Sequence, residues 1–378
     1  MSRIYPDIDP DGLLEYSVVF TDRSLNHMSQ AFQGVMRDIS STLKSVYRSD
    51  AVVVVPGGGS FAMEAVARQF AQDQHCLVIR NGWFSYRWTQ IFEMGRLPAS
   101  ETVLKAKPES EAVDAPWRPA ALQDVLDAIA RDKPAVVFAP HVETSSGMIL
   151  PDDYLRAVAD AVHAVGGLFV LDCVASGCVW VDMADIGVDV LISAPQKGWS
   201  SSPCAGLVML SARALERLEE TTSSSFAADL KRWHLIMQAY ENGGHAYHAT
   251  MPTDGLARFA TMMHETLDFG LDAARDAQWA LGRSVRELMQ ESGFPSVAGE
   301  GFQAPGVVVS HTRNDGLHKG ARFIAEGLQT AAGVPLMCDE PDAFKSFRVG
   351  LFGLDKLGNV ARTRDNLAGA LEAISKDQ

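Results

Sequence analysis

The stretch Ala51-Val52-Val53-Val54-Val55-Pro56-Gly57-Gly58-Gly59-Ser60 decides the fold. Its first five residues form an unbroken apolar, β-branched run, the mark of a strand buried on both faces rather than on one. Three glycines follow. Residues 60–70 come next, with Phe61, Ala65 and Val66 spaced for one face of a helix. The same alternation continues along the chain. Residues 76–79, 135–139, 168–171, 188–192 and 206–210 read as further short apolar strands, and 122–130 and 154–165 as helices between the earlier ones. Strands alternating with helices require crossover connections, so an α/β fold is expected, its mostly parallel central sheet flanked by helices.

The last third changes character. Residues 229–241, 255–289 and 314–332 carry long helical patterns, and short strand candidates at 306–310 and 346–349 interleave with them. The expected organisation is an N-terminal arm over 1–22, a large domain over 23–270 and a smaller C-terminal α+β domain over 271–378. A chain of 378 residues is long enough for that division.

Composition narrows the function. Hydrophobic residues make up 47% and charged residues 21%, the proportions of an ordinary globular protein, which excludes disorder and fibrous repeats. No apolar run approaches the roughly 18 residues of a membrane span; the best, 167–181, is broken by Asp172. The opening MSRIYPDIDPDG has no basic region followed by an apolar one, so no secretory signal is expected. Five cysteines without a CxxC pair argue for reduced thiols in a cytoplasmic protein, not a disulfide frame or a structural zinc. A formal net charge of −14 argues against a nucleic-acid partner.

In an open α/β sheet ligands bind beyond the carboxyl ends of the strands, so the residues just after each strand carry the argument. After 51–55 the glycine turn leads into a helix, whose free N–H groups and partial positive charge form a cup for a phosphate. It is not a Walker loop, because no Gly-Lys-Ser/Thr follows. Gly57, Gly59 and Ala62 do satisfy G-x-G-x-x-A, which keeps a dinucleotide fold open. The next strand ends in Arg80-Asn81 and not in an acid, so only the 2′-phosphorylated cofactor of an NADP-binding oxidoreductase would suit it. A tight turn without any ligand is the plain alternative.

Asp172 closes the strand 168–171. A carboxylate there is costly to bury without a partner, although a capping aspartate is common. Lys197 follows the strand 188–192 within Ser193-Ala194-Pro195-Gln196-Lys197-Gly198-Trp199. Such a lysine is usually a surface loop residue, yet desolvation prepares an amine for Schiff-base chemistry. The two positions lie one strand–helix–strand step apart and could face one pocket. A phosphate cup, a strand-end acid and a strand-end amine together suit pyridoxal 5′-phosphate, which offers a phosphate, a basic ring nitrogen and an aldehyde. The dinucleotide alternative leaves Asp172 and Lys197 without a task.

With those residues in hand, the sequence resembles the class V, fold-type I aminotransferases. It is nearest the alanine–glyoxylate and serine–pyruvate group, with 2-aminoethylphosphonate transaminases beside it. The likeness runs from about residue 23 to the C-terminus and is sharpest in GGGSFAMEA, HVETSSG, LDCVASG and SAPQKGW. The resemblance implies that Lys197 holds the cofactor as a Schiff base and moves the proton at the substrate, while Asp172 pairs with the ring nitrogen. Gly58, Gly59 and Ser60, with Gln196, would hold the phosphate. Phe84 in NGWFSYR would stack on the ring, Val174 would pack on its other face, and Thr144 would approach the ring oxygen and substrate. Tyr247 and Thr250 in GGHAYHATMPT match residues that reach the other subunit's phosphate, which implies a homodimer with active sites at the interface. Arg348 in SFRVGLFG matches the arginine that grips the substrate carboxylate.

Plainer readings stand beside these. Phe84 alone would be core, and Arg348 alone a solvated edge residue. His245 and His248 have metal-like spacing but no third ligand in view. His141 and Glu143 read as support for Thr144 rather than as an acid/base pair. One stretch departs from the family: residues 18–27 replace a Gly-Pro-rich segment, so Phe20 and Arg23 are expected at the substrate side, an inert arm being the competing reading.

The expected activity is ping-pong transfer of an amino group from a small amino acid, such as alanine or serine, to a 2-oxo acid such as glyoxylate or pyruvate. Alternatives are a pyridoxal-phosphate lyase acting by elimination or desulfuration, a 2-aminoethylphosphonate-type transaminase and, more remotely, the oxidoreductase or a non-catalytic pyridoxal carrier. Gln196 before the lysine, where a desulfurase usually has His, argues against desulfuration, as do the surroundings of Cys338.

Overall fold

A computed structural model describes residues 13–376. Of the expected arm, residues 1–12 lie outside the described part, and 13–22 carry neither helix nor strand. Seven strands build the central sheet: β1 (Ala51–Pro56), β2 (His75–Arg80), β3 (Ser100–Lys105), β4 (Val136–Pro140), β5 (Leu168–Asp172), β6 (Val190–Ser193) and β7 (Ala205–Leu210). Their order is β1-β7-β6-β5-β4-β2-β3. Neighbours from β6 through to β3 are parallel, and β7 alone runs against both of its neighbours. Six strands therefore point their carboxyl ends at one edge. The α/β architecture read from the apolar runs is the one observed.

Helix α1 (Gln30–Tyr47), α2 (Gly59–Phe70) and α3 (Trp83–Gly95) cover the sheet near that edge. Helix α2 packs Ala62, Ala65, Val66 and Phe70 inward, whereas Phe61, expected on the same face, is 59% exposed. The helix lies so close to β7 that a Cβ on Gly206 would stand 2.4 Å from the Ala62 methyl, so only glycine fits there.

Beyond residue 270 the structure departs from the expected pattern. Gly270, at φ +95°, ends the helix Thr253–Phe269 and begins Leu271–Glu291, splitting the single helix expected over 255–289. Residues 314–332 are not one helix either. They form the short helices Asp315–His318 and Ala321–Ala325 and a two-residue strand, Ala331–Ala332. Gly320 and Gly327, both in the left-handed region, punctuate them. Naming Val307–His311 β8, Ala331–Ala332 β9 and Ser346–Gly350 β10, the second sheet has the order β8-β10-β9 and is antiparallel.

The apolar core follows this geography. One cluster runs from Leu25 to Met263 around the large sheet, and a second gathers residues from 274 to 374 with Cys178. A third joins Val142 and Ala175 to Val307, Val309 and Leu336, a seam along the carboxyl edge.

A buried carboxylate fixes the first turn of α3. Helix first turns leave N–H groups unpaired, and here the partners come from the hairpin formed by Val142–Glu143 and Met148–Ile149. Glu143, fully buried, accepts hydrogen bonds from the Phe84 and Ser85 N–H groups (3.2 and 2.9 Å) and from the Ser85 hydroxyl (2.7 Å). It also accepts from the Ser145 N–H and hydroxyl (3.1 and 2.7 Å), and the Trp83 N–H donates to Ser145 Oγ at 2.8 Å. A Cβ on Gly82 would stand 2.0 Å from that Oγ, so the approach requires glycine. Removing the carboxylate strands several donors at once. Glu143→Ala is expected to lower stability by about 3 kcal/mol or more, read from equilibrium urea unfolding, with Glu143→Gln intermediate. A loss below about 1 kcal/mol would show that α3 is capped by other means.

Candidate active site

Asp172, the last residue of β5, sits in register with Pro140 of β4 and Ile192 of β6. The three strands thus end within one residue of the same level, and each throws its next residues over the same edge. From β4 come His141 to Thr144, from β5 Val174, from β6 Gln196 and Lys197. The loop bearing Lys197 is pressed against the one after β5: a Cβ on Gly198 would stand 2.1 Å from the Gly177 carbonyl oxygen. A cavity of about 420 Å³ opens above these ends. Gly59 and Ser60 enter it from the start of α2, Phe84 from α3, Thr144, Asp172 and Val174 from the loops, Gln196 and Lys197 from the β6 side, and Arg348 from β10. The cup, the acid and the amine are brought together as the strand ends suggested.

Asp172 is only 7% exposed. Burial pushes its carboxyl up to about 6 against the pull of the Val174 N–H, which donates to Oδ1 at 2.9 Å, while Glu143 raises it and Arg87 lowers it. Burial holds the Lys197 amine below its ordinary value, and the Arg348 guanidinium adds to the effect; Lys197 Nζ lies 4.7 Å from the centroid of the Phe352 ring. Arg348 is likewise lowered by burial and raised by Glu143, and its Nε donates to the Ala332 carbonyl at 2.8 Å. Arg87 Nη1 donates to Ser60 Oγ at 2.7 Å. Each of these three cations faces a neutral group, and among the described residues none forms an ion pair with a carboxylate.

Other expected site residues lie elsewhere. Gly58 caps α2, its carbonyl accepting from the Phe61 and Ala62 N–H groups, and does not line the cavity. Tyr247 and Thr250 bond to each other, hydroxyl to hydroxyl, at 3.0 Å on the surface and are not among its lining residues. Phe20 packs on the His27 ring at 5.4 Å, and the Arg23 N–H meets Thr21 Oγ1 at 3.4 Å; neither borders the cavity. His245 stacks edge-on against His27, and His248 Nε2 pairs with the Phe226 carbonyl. His141 and Glu143 part company: Nδ1 of the imidazole pairs with Ser176 Oγ at 2.7 Å, while the carboxylate caps α3. Among the lining residues that the sequence reading did not name are Arg87 and Phe352. Arg87 was within reach, since it follows Phe84 by three residues on one helix face.

Comparison with known proteins identifies the family of the chain. The model of the family described as aminotransferase class V matches residues 13–326. The 2-aminoethylphosphonate–pyruvate transaminase of Burkholderia ambifaria (strain MC40-6) is 30% identical over 351 residues, 91% of this chain and 89% of the relative. Alanine–glyoxylate aminotransferase 1 of Saccharomyces cerevisiae is 26% identical, covering 71% of this chain and 70% of its own. Among solved structures, an alanine–glyoxylate aminotransferase from Nostoc sp. superposes with a TM-score of 0.75 at 25% identity, over 92% of this chain and 88% of that one. A pyridoxamine–pyruvate aminotransferase from Mesorhizobium loti shares the fold, with a TM-score of 0.77 at 18% identity, over 93% and 86%.

The cavity suits pyridoxal phosphate. Asp172 is a buried carboxylate that forms no ion pair among the described residues, and a protonated ring nitrogen would supply one. Lys197 is an amine with lowered basicity on the same cavity. A Cβ on Gly59 would meet Val174 at 2.7 Å, so the cup floor is backbone alone, with the Gln196 side chain beside it on the same cavity. Matched by the family model over most of its length, and by a 30% identical relative over nine-tenths of it, the protein belongs to the class V aminotransferases and is a pyridoxal-phosphate-dependent transaminase.

Proposed function

We propose that the protein transfers the amino group of a small amino acid of the alanine or serine kind to a 2-oxo acid of the glyoxylate or pyruvate kind, in ping-pong fashion. The observation that carries the reading is the shared cavity of Lys197 and Arg348, an amine and a guanidinium that form no ion pair with a carboxylate among the described residues. An α-carboxylate, present in both the donor and the acceptor, is the natural partner for the guanidinium. A second reading keeps the same chemistry and takes 2-aminoethylphosphonate as donor, with Arg348 gripping the phosphonate; the Burkholderia relative's name favours it.

In this reading Gly59, Ser60 and Gln196 would hold the cofactor's phosphate, Asp172 its ring nitrogen, Phe84 and Val174 its faces and Thr144 its ring oxygen. When bound, the cofactor supplies an aldehyde that takes up an amine and a cationic ring that draws electrons from the substrate. Lys197 Nζ takes and returns the proton at the substrate α-carbon, a task helped by its lowered basicity. Arg348 fixes the substrate by its carboxylate, so that the α-hydrogen faces the amine. Apolar Val142, Ala175 and Val307 leave little room for a large or charged side chain.

The functional unit is proposed to be a homodimer. Tyr247 and Thr250 stand exposed outside their own cavity, as a pair completing a partner's phosphate cup would. Phe20 packs on His27, which in turn contacts the Tyr247 ring, so Phe20 and Arg23 belong with that partner-facing group, at its substrate side. The division into an arm (1–22), a large domain (23–270) and a small domain (271–378) is supported by the break at Gly270 and the separate cores. Five free cysteines, four of them buried, support a reducing, cytoplasmic setting, and no helix of the described residues is long and apolar enough to cross a membrane.

Three outcomes test the site. The purified protein is expected to be yellow, and Lys197→Ala to lose that band while keeping its fold; with alanine or serine and no oxo acid, the cofactor should convert once to its amino form. Continuous ammonia release would make it a lyase instead, and conversion by 2-aminoethylphosphonate alone would favour the second reading. Arg348→Ala should raise KM for α-amino acids by an amount equivalent to roughly 2–5 kcal/mol; an unchanged KM would remove the carboxylate grip. Asp172 has a pH signature. Its folded value is raised, so its contribution to the stability of cofactor-free protein is present below its ordinary range near pH 4 and is lost as pH climbs through about 6. Asp172→Asn should therefore melt above the wild type at pH 7.5, by on the order of 2–3 kcal/mol, with the gap closing at pH 4. A gap independent of pH would refute the assignment of the strain to this carboxyl.

A further inference from the structure

The phosphate cup lacks a charge. Gly59, Ser60 and Gln196 are all neutral, whereas a phosphate monoester carries about 1.5 to 2 negative charges at pH 7. Of the three cations that line the cavity, Lys197 is committed to the aldehyde and Arg348 to the substrate. Arg87 remains.

Its position is specific. The guanidinium is hydrogen-bonded to the Ser60 hydroxyl at 2.7 Å, at the first turn of α2 where the backbone N–H groups of the cup begin. The same guanidinium lies 5.1 Å from the centroid of the Phe84 ring, one helical turn away on α3, close enough for a cation–π contact that steers it. The start of α3 is in turn held by Glu143 and Ser145, so Arg87 projects from an anchored helix and not from a mobile loop. Arg87 is half-buried and lines the cavity that also holds Asp172.

We propose that Arg87 is the counter-charge of the cofactor's phosphate, donating guanidinium N–H groups to it alongside the Ser60 hydroxyl. A bond of this kind is charge-assisted and stronger than any the neutral donors make. The inference rests on reading the Lys197–Asp172 cavity as the pyridoxal phosphate site. It adds that the neutral part of the cup is insufficient for tight retention.

The test uses two ligands that differ only in the phosphate. Cofactor-free wild type and Arg87→Gln are titrated with pyridoxal phosphate and with pyridoxal, following the yellow band and, separately, the melting temperature. Arg87→Gln is expected to weaken pyridoxal phosphate binding by about 10- to 100-fold and to leave pyridoxal binding nearly unchanged. Arg87→Lys, which keeps a point charge, should fall between. Equal weakening of both ligands would reduce Arg87 to a structural role, and no weakening of either would overturn the inference outright. A raised KM for the amino acid with unchanged cofactor affinity would also overturn it, by assigning Arg87 to the substrate. Should the variants fail to fold, phenylglyoxal labelling of cofactor-free wild type decides: inorganic phosphate should protect Arg87 from modification, and lack of protection counts against the proposal. If wild type forms a band with neither ligand, the cofactor site itself is misread and the inference falls with it, an outcome distinct from a normal wild type with an unaffected variant.

Discussion

The level at which β4, β5 and β6 end governs everything above them. Pro140, Asp172 and Ile192 share one row of the sheet, and the row is extended by bonds from the His141 N–H to the Asp172 carbonyl and from the Cys173 N–H to the Ile192 carbonyl. Parallel pairing lets a slip of one residue turn every side chain to the opposite face, and here a slip would carry Asp172 out of the cavity. The register is protected by burial. Leu168 to Leu171 and Val190 to Ile192 are inaccessible on both faces, so a shifted pairing would leave the strand-end carboxylate inside the core. The chemistry is thus secured by apolar packing several residues away from it.

Within that frame the cavity gives up stability for function. A transaminase needs an acid held against a ring nitrogen, and the place that serves is one where burial opposes the charge. Three cations stand around the same space without carboxylate partners, although the chain as a whole carries a net charge of −14. Cations held in a cavity without direct ion pairs focus the field on anionic ligands, and both a phosphate ester and an amino acid's carboxylate answer that description. In the proposed reading ligands would supply the missing pairings, and the loaded protein is then expected to be the more stable one.

Legibility in the sequence followed burial. Strands β1, β4, β5 and β7 stand out because continuous apolar runs leave no other reading. Strand β3, Ser-Glu-Thr-Val-Leu-Lys, lies at the sheet edge and is exposed or half-buried throughout, so its polarity hid it. Helix α3 hid for a different reason: its cap is not a local Ser, Thr, Asp or Asn but Glu143, some sixty residues along the chain. A signal of that kind exists only in three dimensions. Arg87 went unread with it, because its relation to Ser60 is visible only once α2 and α3 stand side by side. The helix expected over 314–332 failed through Gly320, whose positive φ ends one turn before the next begins.

Glu143 joins helix α3 to the hairpin beside the cavity. One carboxylate holds the backbone of Phe84 on one side and of Ser145, next to Thr144, on the other. The aromatic read as stacking on the cofactor and the hydroxyl read as approaching its oxygen are therefore referenced to the same buried group, and so is the helix that carries Arg87. A displacement of the 142–147 hairpin would move all three together rather than singly. Since that hairpin also belongs to the apolar seam with β8, the small C-terminal sheet bearing Arg348 is mechanically linked to the groups around the cofactor site. The strand that bears Arg348 and the hairpin beside the cavity are parts of one packed unit.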